Sequence, residues 1–386
     1  MQRASADRRD LWPGDRQMRT SSEIRQCEAD VAITVVPMGP PLPRWRRLVA
    51  DIGDRRKPRV SVIVPAYNAM PYLSELLSSF DDQGLSGGQL QIIMIDDGST
   101  DETAAVLDDF GHDRGNVIVL HQANSGWPGQ PRNRGLDLAT GRWVFFADAD
   151  DYFAPGALAE LADFGDQHRS QIVQPRVARF GTKHGGRRRT QTRARVSKES
   201  AFRSFTPHKL VRRDLIMDNG VRFPEGKVRL EDGIFFSRCY LLADRISVLA
   251  ERDYYMVRGR TDGLNISRQP KDPASYVNSV EQIVQTIDEL SVDPTSSRLI
   301  AVVLHRKCLK LYRGGFADLP DALKGQWLDE HRRFFDRHVT PAIRSQLDLL
   351  DQERLDLVMD GDRAGILAHI RSHRVHPADR HTSQGI

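Results

Sequence analysis

The stretch WVFFADADD, residues 143–151, decides the fold, because a fully apolar run ends abruptly in three carboxylates. Three other stretches have a similar form: RVSVIVPAYN (59–68), LQIIMIDDGSTD (90–101) and NVIVLHQAN (116–124). Each is a short run rich in β-branched residues that ends in polar or turn-forming residues. Runs of this length and composition predict buried strands.

Segments with helical patterns lie between and after these strands, at residues 72–80, 131–140 (PRNRGLDLAT) and 157–167. Strands that alternate with helices predict an α/β fold whose central sheet is mostly parallel. Ligands of such sheets bind beyond the carboxyl ends of the strands. The sequence therefore predicts a binding site at the edge that carries these strand-end residues: Pro65, Asp96, Asp97 and Asp148 to Asp151.

Composition divides the rest of the chain. Residues 1–57 are basic, rich in proline near their end and without a regular period, so we predict a disordered N-terminal extension. Residues 58–270 are predicted to form the α/β domain, with a further strand at 171–180 and a helix–turn segment at 207–219. Amphipathic patterns predict a helical C-terminal region at 271–386.

Hydrophobic residues make up 39% of the chain and charged residues 28%, as in a globular protein. No apolar run approaches the ~20 residues that cross a bilayer, and the N-terminal residues lack the features of a secretory signal. We therefore expect a cytoplasmic protein. A short basic helix near Trp45 suggests peripheral contact with the cytoplasmic membrane face, although an ordinary surface helix is the favoured interpretation. The three cysteines lie far apart and indicate neither disulfides nor a zinc site.

Asp148 and Asp150 follow the fourth apolar run at a spacing that lets both point to the same side. Hard divalent cations such as Mn²⁺ or Mg²⁺ bind carboxylate and diphosphate oxygens. We expect one of the two aspartates to reach a ribose and the other to bind such a cation. The alternative is a turn with capping carboxylates. Asp97 follows the second strand and has the chemistry to accept hydrogen bonds from a base or a sugar.

Two further motifs carry charge at predicted helix starts. Arg132 enters the helix at 131–140, where its guanidinium suits a diphosphate or the acidic cluster. Glu231 and Asp232 open an amphipathic segment. Acidic residues in a first helical turn also complement the helix dipole, so this pair has a purely structural interpretation as well.

A short arginine-rich stretch interrupts the α/β pattern. It is typical either of a solvated loop or of a site for a polyanion. No aromatic residues are interleaved with the cations, so we do not expect nucleic-acid binding. The arginines are Arg187, Arg188, Arg189, Arg193 and Arg195.

Together these segments resemble family 2 glycosyltransferases. VSVIVPAYN, IDDGSTD, PRNRGLDLATGRWVFFADADD and LEDGIFF occur in the family's order over about residues 58–270. The resemblance implies a GT-A fold, which binds nucleotide sugars. NSGWPGQPRN, TPHKLVRRDLIMDNGVRFPE and ADRISVLAERDYYMVRGRTDG are similar more narrowly to the wall-teichoic-acid N-acetylglucosaminyltransferases that decorate poly(ribitol phosphate). That likeness implies a UDP-sugar donor, GlcNAc by preference, and an anionic glycopolymer acceptor.

The resemblance also implies roles by position. Asp232 would be the catalytic base, Glu231 would position the sugar or the acceptor, and Asp150 would bind Mn²⁺ or Mg²⁺. The arginine-rich stretch would contact the acceptor through Arg187, Arg188 and Arg189. Nucleotide-sugar contacts are implied for Pro65, Tyr67, Asp97, Asn124, Arg132, Asp148, Arg260 and Ser267.

The implied reaction is a single displacement that inverts the anomeric centre. Two alternatives stay open: a family 2 enzyme that acts on a capsular or lipid-linked polysaccharide, and a catalytically silent relative that binds polyanions. A nucleotide-dependent oxidoreductase is disfavoured, because no G-x-G-x-x-G follows the first strand. The resemblance does not extend to the additional C-terminal modules that serve trimer formation in these relatives, so no oligomeric state is predicted.

Overall fold

The computed structural model describes residues 57–181, 190–260, 266 and 269–373. The predicted N-terminal extension up to residue 56, the arginines Arg187, Arg188 and Arg189, and Ser267 lie outside the described residues. Predictions made for them are therefore not tested by the structure.

The described strands form two sheets. They are β1 (Val60–Ala66), β2 (Leu90–Asp96), β3 (Val117–His121), β4 (Trp143–Phe146), β5 (Tyr152–Phe153), β6 (Ile172–Pro175), β7 (Val177–Phe180), β8 (Leu210–Arg212), β9 (Ile246–Leu249) and β10 (Tyr255–Arg258).

The larger sheet has the order β3-β2-β1-β4-β8-β6-β9, and the smaller one the order β5-β10-β7. In the larger sheet β3, β2, β1 and β4 are mutually parallel, and β6 is parallel to β9. Strand β8 runs antiparallel to both of its neighbours. The predicted α/β fold with a mostly parallel central sheet is confirmed.

Helices cover the sheet and form the C-terminal region. They are α1 (Leu73–Ser79), α2 (Thr103–Gly111), α3 (Gly129–Leu138), α4 (Ala157–Gln167), α5 (Lys198–Ala201), α6 (Arg213–Met217), α7 (Glu231–Leu242), α8 (Pro273–Leu290), α9 (Thr295–Val303), α10 (Asp321–His338), α11 (Pro341–Arg344), α12 (Leu349–Met359) and α13 (Arg363–Ser372). A π-helical segment, Leu304–Cys308, and a 3₁₀ segment, Leu309–Arg313, follow α9.

Two local predictions were wrong. The predicted strand at 171–180 is divided into β6 and β7, which belong to different sheets. Strand β6 ends at Pro175, whose nitrogen has no hydrogen to donate to a continuing ladder. The predicted helix–turn at 207–219 begins instead with β8, because three apolar or long side chains there fit between β4 and β6. Neither β9 nor β10 was predicted.

The hydrophobic core lies on both faces of the larger sheet. Side chains of β1 alternate between the two faces, so Ile63 packs in one cluster while Val62 and Val64 pack in the other. The first cluster continues from the sheet through α7 into α8 and the later helices. The C-terminal helices are therefore packed on the α/β domain through a shared core. Among the described helices, none is both long enough and apolar enough to span a membrane.

Candidate active site

Arg132 lies at the centre of the candidate active site and joins three carboxylates. Its Nη1 donates to Asp232 Oδ1 at 2.7 Å and approaches Glu231 Oε1 at 3.4 Å, while Nη2 donates to Asp148 Oδ1 at 2.9 Å. Only 4% of the Arg132 side chain is exposed. Charge-assisted bonds of this kind are among the strongest in proteins. One guanidinium thus joins α3, the end of β4 and the start of α7.

Close packing of α3 fixes the position of Arg132. A Cβ at Gly135 would lie 2.4 Å from Cγ2 of Ile63, so only glycine lets the helix approach β1 this closely. The Asn133 amide forms two hydrogen bonds of 2.9 Å with the backbone of Phe223, one to its carbonyl and one from its N–H. These contacts on both sides leave little freedom for the helix that carries Arg132.

The start of α7 delivers the two remaining acidic residues. Glu231 and Asp232 are the first two residues of the helix, as predicted. The preceding residue, Leu230, has φ 58°, which lies in the left-handed region that a branched aliphatic residue rarely adopts. Backbone strain of this kind is concentrated at functional sites, where the surrounding structure holds it in place.

A second cluster adjoins the first through Asp148. His208 Nε2 lies 3.0 Å from Asp148 Oδ2 and 3.4 Å from Asp151 Oδ2. The His208 ring stacks on Tyr255 with centroids 4.5 Å apart, and the Tyr255 hydroxyl accepts a hydrogen bond from the Asp148 backbone N–H at 2.9 Å. Asp151 accepts a hydrogen bond from the Arg258 backbone N–H at 2.8 Å, but its Oδ2 is buried and has no hydrogen-bond partner.

The protonation states in these clusters follow from burial and charge. Burial raises the pKa of Asp232 to about 8; the charge of Arg132 acts against this, while Glu231 and Asp148 add to it. Burial disfavours the charged form of Asp148 as well, but the hydrogen bond from His208 and the charge of Arg132 hold its pKa below the ordinary value. Three carboxylates around one guanidinium thus leave Asp232 as the group that takes up a proton near neutral pH.

The second cluster fits a divalent cation. Burial, together with repulsion from Asp148 and Asp150, raises the pKa of Asp151 well above its ordinary value. Burial also lowers the pKa of His208, so its ring is neutral and able to act as a ligand. One ligand atom from each of Asp148, Asp151 and His208 lies within 4.8 Å of the other two. Two carboxylates and one imidazole form a ligand set that suits Mn²⁺ and related cations.

The loop after β3 surrounds Asp97. This aspartate is buried, and it accepts hydrogen bonds from Gln122 Nε2 at 2.5 Å, from the Ser125 N–H at 3.0 Å and from Ser125 Oγ at 2.8 Å. Asn124 is exposed, and its Oδ1 accepts a hydrogen bond from the Gly126 N–H at 2.7 Å. The loop is therefore folded around a carboxylate at the carboxyl end of β2.

The other predicted nucleotide contacts lie at the end of β1. Pro65 is half-buried within the strand, and Tyr67 beyond it is 49% exposed. Arg260 lies against the same segment, since its Nη2 donates to the Asn68 carbonyl at 2.9 Å and its guanidinium lies over the Tyr72 ring.

The structure brings some predicted site residues into the two clusters and leaves others out. Among the described residues, Asp148 forms a potential metal-binding group with Asp151 and His208. Asp150 is not part of this group. The role of Asp150 as the metal ligand stays a prediction. Asp151 was recognisable as the third carboxylate of the ADADD run. His208 is 60 residues from Asp148 along the chain, and no local spacing indicated it.

A basic surface lies in the helical region, and one of its members, Lys307, interacts electrostatically with Asp232 of the Arg132 cluster. We name it the cation face and define it by Lys271, Arg306, Lys307 and Lys310. Burial and repulsion from Arg306 lower the pKa of Lys307 to about 8, while attraction to Asp232 acts in the opposite direction. Among the described residues, none of these four cations forms an ion pair with a carboxylate within 4.0 Å. Sequence reasoning did not find this surface, because its members belong to ordinary amphipathic segments.

Comparison with known proteins decides the family. The model of the glycosyl transferase family 2 domain matches residues 61–224, which contain β1 to β4, Arg132 and the Asp148 cluster. These residues form a glycosyl transferase family 2 domain. A second family model, the glycosyl transferase TarS linker domain, matches residues 273–370. The resemblance drawn from the sequence is thereby confirmed.

Curated relatives agree with this assignment. The chain is 28% identical over 321 residues to the poly(ribitol-phosphate) beta-N-acetylglucosaminyltransferase TarS of Staphylococcus aureus (strain MW2), covering 81% of this chain and 55% of that protein. It is 30% identical over 253 residues to a poly(ribitol-phosphate) beta-glucosyltransferase of Bacillus spizizenii, covering 64% of this chain and 40% of that protein. The chain spans about half the length of these relatives.

A solved structure supports the fold. S. aureus TarS 1-349 in complex with UDP-GlcNAc superposes on this chain with a TM-score of 0.74 at 26% identity, covering 82% of this chain and 91% of that one. The expected GT-A fold with a helical C-terminal region is confirmed.

Proposed function

We propose that this chain is an inverting, metal-dependent glycosyltransferase that moves a sugar from a UDP-sugar to a hydroxyl of an anionic glycopolymer. The observation that carries the proposal is the cluster in which Arg132 joins Asp148, Glu231 and Asp232. A candidate base, a candidate leaving-group contact and a candidate cation site thus adjoin one another at the carboxyl edge of a parallel sheet, where ligands of such folds bind.

Asp232 is proposed as the catalytic base. It would accept the proton of the acceptor hydroxyl while that oxygen attacks the anomeric carbon from the face opposite the diphosphate. A pKa of about 8 makes the Asp232 carboxylate a stronger proton acceptor than an ordinary aspartate. A quarter of its side chain is exposed, which leaves room for an acceptor to approach. One displacement of this kind inverts the anomeric configuration.

Two groups are proposed to act on the departing diphosphate. Asp148, Asp151 and His208 would hold a Mn²⁺ or Mg²⁺ ion, which when bound supplies positive charge to the diphosphate oxygens. Arg132 is buried and its Nε has no hydrogen-bond partner, so the guanidinium retains one donor beyond its bonds to the carboxylates. Arg260, which lies against the segment after β1, is a further candidate for contact with the diphosphate.

The donor is proposed to be a UDP-sugar, with GlcNAc as the sugar of first choice. The superposed TarS structure is named for its complex with UDP-GlcNAc, and a second relative is named as a glucosyltransferase. In this chain Asp97 offers a buried carboxylate at the end of β2, with the chemistry to accept a hydrogen bond from the N–H of a base. The other implied contacts, Pro65, Tyr67, Asn124, Asp148 and Ser267, are proposed on the resemblance alone.

The acceptor is proposed to be a polymer with phosphate groups. Four cations without anionic partners among the described residues form the cation face, and Lys307 lies within electrostatic reach of Asp232. A phosphodiester bound there would bring a neighbouring hydroxyl towards the base. The two curated relatives are named for poly(ribitol-phosphate), which supports the same acceptor class. Arg187, Arg188 and Arg189 remain additional candidates for acceptor contact.

The test is UDP release by the purified full chain with UDP-GlcNAc or UDP-glucose, Mn²⁺ or Mg²⁺, and poly(ribitol phosphate) or a neutral polysaccharide. We expect release that the anionic polymer stimulates and that a chelator abolishes. Equal stimulation by the neutral polymer would contradict the proposed acceptor. Failure of every UDP-sugar to bind in calorimetry would contradict the proposed donor and favour a silent polyanion-binding relative.

A further inference from the structure

The last two described helices bring together a set of side chains that the proposed transfer does not use. Helices α12 and α13 pack against each other, joined by a short turn at 360–362. His369 lies in the last turn of α13 and His373 follows the helix end, four residues later. Residues at this spacing share one helix face, and the two rings lie with their centroids 4.3 Å apart. Glu353 of α12 faces His369 across the pair of helices.

Hydrogen bonding does not account for the arrangement of these three groups. His369 Nδ1 lies 3.6 Å from Glu353 Oε2, which is beyond hydrogen-bond distance. The His369 side chain is only 9% exposed, and its Nε2 is buried without a hydrogen-bond partner. The His373 ring contacts the His369 carbonyl and Ser372 Oγ through Nδ1, and no described partner is assigned to its Nε2. Each histidine thus has a ring nitrogen for which the structure describes no hydrogen-bond partner.

The positions of the three groups suit a metal ion. One ligand atom from each of Glu353, His369 and His373 lies within 4.8 Å of the other two. The side chains of Glu353 and His373 are both exposed.

The ligand types indicate which ion is bound. Two imidazoles and one carboxylate form a set that Zn²⁺ and similar borderline cations prefer, while Mg²⁺ and Mn²⁺ favour sites richer in oxygen. We propose that Glu353, His369 and His373 form a zinc-type metal site that ties α12 to α13. It lies on elements separate from the Asp148 cluster, and it does not depend on the proposed transfer reaction. An ion bound only in the folded state would stabilise this pair of helices.

The test is calorimetric titration of Zn²⁺ alone into the metal-free full chain. Glu353→Gln and His373→Ala are the informative variants, because both side chains are exposed and their loss leaves the core intact. His112→Ala, an exposed histidine at the end of α2, is the matched control. Asp148→Asn removes the competing cluster, so that zinc bound there is recognised separately.

We expect one zinc equivalent that millimolar Mg²⁺ does not displace. Both informative variants should weaken its binding by about 100-fold or more, since losing an outer-shell partner alone costs about 10–100-fold. His112→Ala and Asp148→Asn should retain it. If the affinity is unchanged in both informative variants, or if Asp148→Asn alone abolishes all zinc binding, the proposed site does not exist.

Discussion

The Arg132 cluster and the cation face lie within electrostatic reach of each other, yet their charges are arranged in opposite ways. In the cluster, three carboxylates share one buried guanidinium, and every charged group has a partner. In the cation face, Lys271, Arg306, Lys307 and Lys310 have no carboxylate partner among the described residues. The first arrangement has an excess of negative charge and the second an excess of positive charge.

This difference supports the proposed binding role of each region. Surplus carboxylates at a strand end suit a metal cation, which the proposed donor diphosphate requires, and a proton acceptor, which the proposed attack by the acceptor hydroxyl requires. Surplus cations attract an anionic ligand, which is the requirement of a phosphate-containing acceptor. Lys307 lies on a π-helical segment, and such segments occur frequently at functional sites. The contrast can be tested by removing the central cation of each region in turn.

The largest effect is expected when Arg132 is replaced by leucine. Removing one partner of a buried ionic group leaves uncompensated charges, at a cost of about 3–5 kcal/mol in the free energy of unfolding. Urea denaturation of the ligand-free protein measures this change. The control is Arg238→Leu on α7, whose partly exposed side chain lies 3.5 Å from Glu289. A loss below about 1 kcal/mol, similar to that of the control, would show that Arg132 does not hold the cluster together.

The second effect concerns the acceptor and the cation face. Replacing Lys307 by methionine removes a cation while keeping most of the apolar side chain. A hydrogen bond to a charged group contributes about 1.5–3 kcal/mol, so we expect the KM for an anionic acceptor to rise about 10- to 100-fold. The dissociation constant for the UDP-sugar should stay unchanged.

The control for Lys307 is Arg333→Gln, an exposed residue of α10 that pairs with Glu330. Steady-state kinetics at two salt concentrations gives a second readout, because the variant should also show a weaker dependence of acceptor KM on salt. An unchanged acceptor KM would exclude Lys307 from acceptor binding and separate the cation face from the reaction.

The smallest effect is a difference between the wild type and Asp232→Asn in how their stability depends on pH. The pKa of Asp232 is about 8 in the folded protein and ~3.9 in the unfolded chain, so the folded state holds the extra proton between these values. Stability therefore falls as pH rises through this window. The Asp232→Asn variant has no carboxyl group to ionise at this position, so it does not lose this part of its stability as the pH rises. With a discount for its partly exposed side chain, the variant should gain about 1–2 kcal/mol over the wild type between pH 6 and pH 8.

Chemical denaturation at the two pH values measures this gain in the free energy of unfolding. Asp329→Asn, at an exposed position on α10, is the control and should show no such gain. If the stabilities of the wild type and of Asp232→Asn change in parallel between pH 6 and pH 8, Asp232 is already ionised at pH 6.

Much of the fold could be predicted from the sequence because its signals are local. The apolar run at 143–151 ends in carboxylates, and alternation with helices sets the direction of the strands. The break between β6 and β7 was missed, since the pairing of a strand with one sheet or another depends on distant partners. The three-residue strand β8 was missed for the same reason.

The site was predictable to a similar extent. Arg132, Asp148 and Asp232 occur in motifs that resemble a known family, and the structure brings them together. His208 and Lys307 have no local signal, because they join the site through contacts between distant parts of the chain.

The proposal that Asp232 is the base can be tested most directly by comparing transfer and donor binding in Asp232→Asn. Loss of a general base typically lowers the rate about 10²–10⁴-fold, and asparagine keeps the shape of the site. We expect acceptor-dependent UDP release to fall by this factor while the dissociation constant for the UDP-sugar stays within about threefold of the wild type. Retained transfer, or transfer and donor binding lost together, would contradict the assignment of Asp232 as the base.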